Sequence, residues 1–143
     1  MSKGNTFEND LMKLCFLGTA IAGMADNAAS SPIVNIYVSL HTADPGEAGS
    51  QTTSESAYTS YARVAVTRAS AGWSVVNNTA TNTAAVTFPA CTGGQETLTY
   101  AAVGTGSSGA GKLLYSGALT ASLVVSNGIT PSFAQAALVI TED

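Results

Sequence analysis

At 143 residues the chain is sized for one domain with a core of its own. Only 10% of it is charged against 45% hydrophobic, so Ser, Thr, Asn and Gly must cover much of the surface. A formal charge of −4 with five Lys and Arg leaves too little positive charge to neutralise a run of phosphates, which argues against a nucleic-acid partner. One His and two distant cysteines, Cys15 and Cys91, provide no zinc ligand set and read as two buried thiols of a reducing compartment. No metal and no cofactor is expected.

Residues 5–24 carry the one convincing helical pattern. Asn5 is placed to cap it, with Glu8 three residues on as in a capping box, and Phe7, Leu11, Leu14 and Cys15 share a stripe. Beyond Leu14 the apolar character spreads round the helix through Phe16, Leu17, Ile21 and Met24, and such a helix needs cover on most sides. Two readings stay open: it lies across the chain's own β domain, or it docks on a partner through Phe7, Leu11, Leu14, Phe16, Leu17 and Ile21. The run Leu14–Ala25 has the look of a signal-peptide core, but Glu8 and Asp10 stand where basic residues belong, so a chain starting uncleaved at Met1 is expected. The run is also too short to cross a bilayer, and no membrane partner is expected.

From Ser31 the pattern changes to strands and turns. Val34, Ile36, Val38 and Leu40 alternate with polar neighbours and predict a half-buried strand. In ADPGEAG (43–49) Pro45 sets φ and Gly46 suits left-handed backbone, which predicts a turn. Residues 49–60, GSQTTSESAYTS, read as an exposed polar loop. Further strands are predicted at Tyr61–Ala69, Gly72–Val76, Ala84–Phe88, Thr97–Val103, Lys112–Thr120, Ser122–Ser126 and Ala136–Thr141. Asn77-Asn78, the segment 91–94 and Asn127-Gly128 mark turns, the last being the strongest hairpin dipeptide. The predicted fold is mainly β, a single antiparallel sandwich or jelly-roll-like domain of about eight strands (31–143) behind an N-terminal helical arm (1–30).

Gly106–Leu113 reads GSSGAGKL, near a nucleotide-binding loop. That loop needs Ser or Thr after the lysine and a helix beyond it, whereas here Leu113 follows Lys112 and the next residues are strand-like. The dinucleotide reading of GTGSSG fails for want of the same helix. The segment is expected to be a hairpin loop. His41 with nearby Asp44 is a weak acid–base pair, no GxSxG elbow is present, and the acids are scattered. Trp73 and the tyrosines at 37, 58, 61, 100 and 115 could stack sugars, with Tyr58, Tyr61 and Trp73 the ones a receptor-binding reading would use, against the more common role of strand aromatics as core or interface. Nothing supports an enzyme.

The segment IYVSLHTADPGEAGSQTTSESAYTSYARVAVTR (36–68), together with FPACTGG (88–94) and GKLLYSGALTASLVVSNGITPSF (111–133), resembles a family of small virion proteins of tailed bacteriophages, many labelled phage tail fibre protein. The likeness covers nearly the whole chain. It implies a virion component assembled in a bacterial cytoplasm, with no catalytic residues to carry over. It also implies that His41, Thr42, Asp44, Pro45 and Gly46 form a shared structural turn near which Tyr61 and Arg63 pack or pair.

A fibre shaft needs length and repeats, and this sequence has neither. The leading expectation is therefore a capsid decoration or cement protein, a dimer or trimer of itself bound to the major capsid protein. The alternative is a tail-tip or tail-fibre-associated module, with host-glycan recognition as one role.

Overall fold

The computed structural model describes residues 5–21 and 32–142. Among them are one helix, α1 (Asn5–Leu17), and nine strands: β1 (Asn35–His41), β2 (Val64–Thr67), β3 (Trp73–Val76), β4 (Thr79–Asn82), β5 (Val86–Thr87), β6 (Gln95–Gly104), β7 (Leu113–Ser126), β8 (Ser132–Phe133) and β9 (Val139–Thr141). They form three antiparallel sheets with strand orders β2-β1-β6-β7, β3-β4-β9 and β5-β8. The mainly β class with a single leading helix is as the sequence predicts. The chain divides into two compact units, each built from separated segments: Met1–Asn35, Val66–Ala85 and Phe133–Asp143 in the first, Ile36–Ala65 and Val86–Ser132 in the second.

In the first unit α1 packs on β3 and β4. Met12 and Phe16, one helical turn apart, are fully buried, and the Phe16 ring meets Trp73 edge to face at 4.7 Å between centroids. Ala80, Ile21 and Leu138 are buried in the same unit. Gly18, with φ +68°, ends the helix in a conformation that glycine adopts freely. The orphan carbonyls of the last turn are met by Arg68, whose Nε donates to the Cys15 carbonyl at 2.8 Å and whose Nη2 donates to that of Leu14 at 2.5 Å. Asn77 and Asn78 close a two-residue hairpin, since Val76 is paired with Thr79 and Asn77 has φ +56°. The hairpin's second strand, β4, was not predicted: TATN alternates too briefly and with too little hydrophobicity to show. Buried Asn82 is fully satisfied, donating to the Ala84 and Ala134 carbonyls and accepting from Leu138 N. The predicted Asn5 cap and Met24 lie outside the described side chains.

In the second unit Ile36, Val38 and Leu40 of β1 are buried on one face, and β6 lies alongside with Tyr37 paired to Gly104 and His41 to Tyr100. The far end of β1 departs from the half-buried expectation: Ser39 and His41 are fully buried as well. Polar chain folded over that face is the reason. The predicted pair of strands at 112–120 and 122–126 is one strand, β7, interrupted only by extra residues at Leu119–Ser122 opposite Thr99. Asn127-Gly128 turns the chain, with Gly128 at φ +88°, yet it does not close a hairpin. Gly128 N donates to the Cys91 carbonyl instead, and Cys91 N donates to that of Ile129, so the chain runs on beside residues 88–91.

Candidate functional site

The residues singled out by the motif SLHTADPG…YAR come together in the second unit. At the turn, Gly46 N donates to Asp44 Oδ1 at 2.9 Å, an Asx turn ahead of the bend, while Gly46 has φ +68° and Pro45 is buried. Thr42 N donates to the Ser54 carbonyl at 2.8 Å, tying the turn to the following loop. His41 sits beneath with both ring nitrogens engaged, Nδ1 on the Thr53 carbonyl and Nε2 on Ser39 Oγ, each at 2.9 Å. Burial pushes its pKa below the usual 6.5, so the ring is neutral at pH 7, and Nδ1 is the nitrogen positioned to donate.

Arg63 is the hub. Its Nε and Nη2 form a two-pronged pair with the Glu55 carboxylate at 2.6 and 2.7 Å, and its Nη1 and Nη2 also donate to the carbonyls of Gly106 and Gly109 at 2.8 Å. The Arg63 side chain is only 2% exposed and that of Glu55 16%. The bond to Glu55 raises the Arg63 pKa further, so this cation is permanent. Tyr61 joins them: its hydroxyl donates to Glu55 Oε1 and accepts from Leu40 N, both at 3.1 Å. Burial drives the Tyr61 pKa well above its ordinary value. The glycine-rich stretch is thereby pinned to the motif.

Loop 49–60 is not the exposed polar loop expected from its composition. Gln51, Ser56 and Tyr58 are buried, because each polar group has a partner inside. Gln51 Nε2 donates to the Tyr37 carbonyl at 3.3 Å, and its Oε1 accepts from Gly106 N at 2.8 Å. Gly104 and Gly111 are glycines for this reason: a Cβ at either position collides with the Gln51 side chain. Glu96 accepts from Ser56 Oγ and from the backbone N–H groups of Ala57 and Tyr58, the latter two at 3.2 and 3.3 Å. The sequence reading missed Gln51, Glu55, Glu96 and the helix cap Arg68. An acid eight residues before Arg63 is a faint signal, and the others leave none.

Ser39 and His41 are within hydrogen-bond distance, but both are fully buried and out of reach of a substrate. The amide of Gly106 is spent on Gln51, and the stretch leads into β7 where a phosphate loop requires a helix. Among the described residues no three His, Cys, Asp or Glu side chains gather as for a metal, and no helix is long and apolar enough to cross a membrane. Cys91 is buried and Cys15 half-buried, both as free thiols.

Three of the aromatics suggested for sugar stacking are committed elsewhere, while Tyr37, Tyr100 and Tyr115 are half-buried on their strands. Trp73 is fully buried, Tyr58 is 4% exposed with its hydroxyl on the Pro89 carbonyl, and Tyr61 stacks on Phe88 at 6.2 Å. The helix's docking set divides too. Phe16 and Ile21 turn inward to the core of their own unit, Leu11, Leu14 and Leu17 are half-buried, and Phe7 alone is exposed, at 39%.

What surfaces at the motif is small and neutral: Thr42, Ala43, Gly46, Thr52, Ser54 and the loop tip 107–110, with Asp44 and Glu47 the exposed charges. A polar rim with few charges, and no cluster of exposed reactive side chains among the described residues, suits a building block. The model of one protein family, the podophage GP4 fiber I protein gp80, matches residues 3–141. The chain belongs to this fibre protein family. It is a structural component of a phage virion and associates with other virion proteins. No curated protein matches it. Membership favours the tail-fibre alternative over capsid decoration, the reading that the chain's shortness had put first.

Proposed function

We infer that this chain is a non-enzymatic module of the tail-fibre apparatus, a compact part that joins or terminates a fibre. The family match over residues 3–141 carries the reading. The shape of the surface supports it. Fibre parts must keep a fixed outline while exposed to solvent and shear, and the rim formed by turn 42–46 and loop 105–111 is locked from beneath by Arg63, Glu55 and Gln51. Shortness, which spoke for a capsid role, is accommodated because a module at a joint or tip needs no repeats.

Labelling intact virions with an antibody raised against the purified chain is the direct test, read by electron microscopy with copy number from quantitative mass spectrometry. Label confined to tail appendages at a few tens of copies or fewer is expected. Label spread over the capsid in hundreds of copies returns the decoration reading and removes this one.

A further inference from the structure

The geometry points to the outer edge of β7 as a contact between two copies of this chain, laid edge to edge and antiparallel; the inference rests on the chain being a virion building block. Strand β7 ends the four-stranded sheet and pairs only with β6 among the described residues. Its fourteen residues, LLYSGALTASLVVS, include no charge and no proline, the devices by which edge strands are usually kept from pairing. Ser116–Ala118 and Thr120–Val124 are exposed without the alternation of a strand that has one covered face. Leu123 and Val124 are 37% and 52% exposed, and Ile129 just beyond is 39%.

From Ser116 to Val124 the outward backbone donors and acceptors have no strand partner among the described residues, and they specify the shape of the occupant: another strand. Charge specifies whose. The chain carries −4 overall, but no acidic or basic residue occurs from Leu113 to Thr141, so two copies meeting here do so without like-charge repulsion. Lys112, at the start of β7, fixes the direction. Parallel pairing sets the two Lys112 side by side, whereas antiparallel pairing sends them to opposite ends of an edge about 33 Å long, the span of the ten-residue β6 beside it at roughly 3.3 Å per residue, several screening lengths of about 8 Å apart. The antiparallel sense also carries Leu123 and Val124 of one copy toward the Ser116–Ala118 end of the other, where the space beside Gly117 is open. The extra residues at Leu119–Ser122 break the edge into two short runs, and a two-fold pairing uses the same edge on both copies. Growth then stops at two.

Light scattering on a sizing column and sedimentation at tens of micromolar test this with the purified full chain. A species of twice the 14.3 kDa chain mass is expected for the unaltered protein. Ala118→Lys/Val124→Lys, both at exposed positions, is expected to weaken dimerisation by about 100-fold or more with an unchanged circular dichroism spectrum. An unaltered chain that sediments as a monomer, or a folded double variant that still dimerises, overturns the proposal. Should the double variant misfold, amide hydrogen exchange of the unaltered chain decides: amides of 116–118 and 123–124 must be protected at high concentration and lose that protection on dilution, and exchange independent of concentration overturns it. A monomer found by antibody on tail appendages leaves the fibre assignment standing while removing this edge contact.

Discussion

The unit around α1 is held by apolar contact, with Phe16 on Trp73 and Met12 beside them fully removed from water, whereas the loop cluster of the second unit is held by polar groups that answer one another. Each buried large apolar side chain contributes about 1.5–3 kcal/mol whatever its orientation. A hydrogen bond nets only about 1 kcal/mol, and its partner becomes a liability of similar or larger size when left alone. The first region therefore tolerates imprecision, and the second does not. That asymmetry suits loops that must present a fixed rim with almost no apolar material.

The largest effect is expected in the apolar region. Phe16→Ala removes a ring with no exposed surface and should lower the unfolding free energy by about 3–5 kcal/mol in urea titrations. A loss below about 1 kcal/mol would mean that α1 does not pack on β3 and β4 in solution, and the contrast would collapse. In the polar region Arg63→Met should cost about 3 kcal/mol, because it leaves the mostly buried Glu55 carboxylate with the Tyr61 hydroxyl and takes a donor from the carbonyls of Gly106 and Gly109, the second of which keeps the bond from Gly111 N. The sharper measurement is the pair: Arg63→Met/Glu55→Met should recover a good part of that loss, since both ends of the ion pair go together. Strict additivity of the two single changes would show that the residues do not act as a unit.

This same contrast explains what could be read from the sequence. Apolar periodicity announced α1 and the strands β1 and β6, because burial by the hydrophobic effect leaves a pattern along the chain. The composition of GSQTTSESAYTS announced a loop but concealed its burial. What buries it is the side chain of Gln51 meeting an amide 55 residues away, and Glu96 meeting three groups at 56–58. Such pairings have no local signature. The turn at Asp44-Pro45-Gly46 was legible from backbone chemistry alone, and so was the refusal of GSSGAGKL as a phosphate loop. The helix was the ambiguous case: the sequence placed Phe16 on a face that needed cover without telling whether β3 and β4 of the same unit or another chain would supply it. On the place within the virion, an argument from length put the capsid first, whereas family membership favours the tail-fibre reading.

The smallest expected effect isolates a single buried group at the base of the polar region. With its folded pKa pushed below 6.5 by burial, His41 is neutral in both folded and unfolded chains only well above that pH, where its contribution is complete. As pH falls through 6.5 the unfolded chain takes up the proton first, so stability declines until the folded pKa is also passed. The Thr53 carbonyl and Glu55 favour the imidazolium and offset part of the burial, while Arg63 opposes it. His41→Asn retains a donor near the Nδ1 position for the Thr53 carbonyl but cannot titrate. Urea midpoints recorded between pH 7.5 and pH 5.5 should therefore fall more steeply for the unaltered chain than for His41→Asn, even if the variant is less stable throughout. Parallel profiles would mean that acid reaches this cluster through its carboxylates, making the ion pair rather than the imidazole the weak point of the polar design.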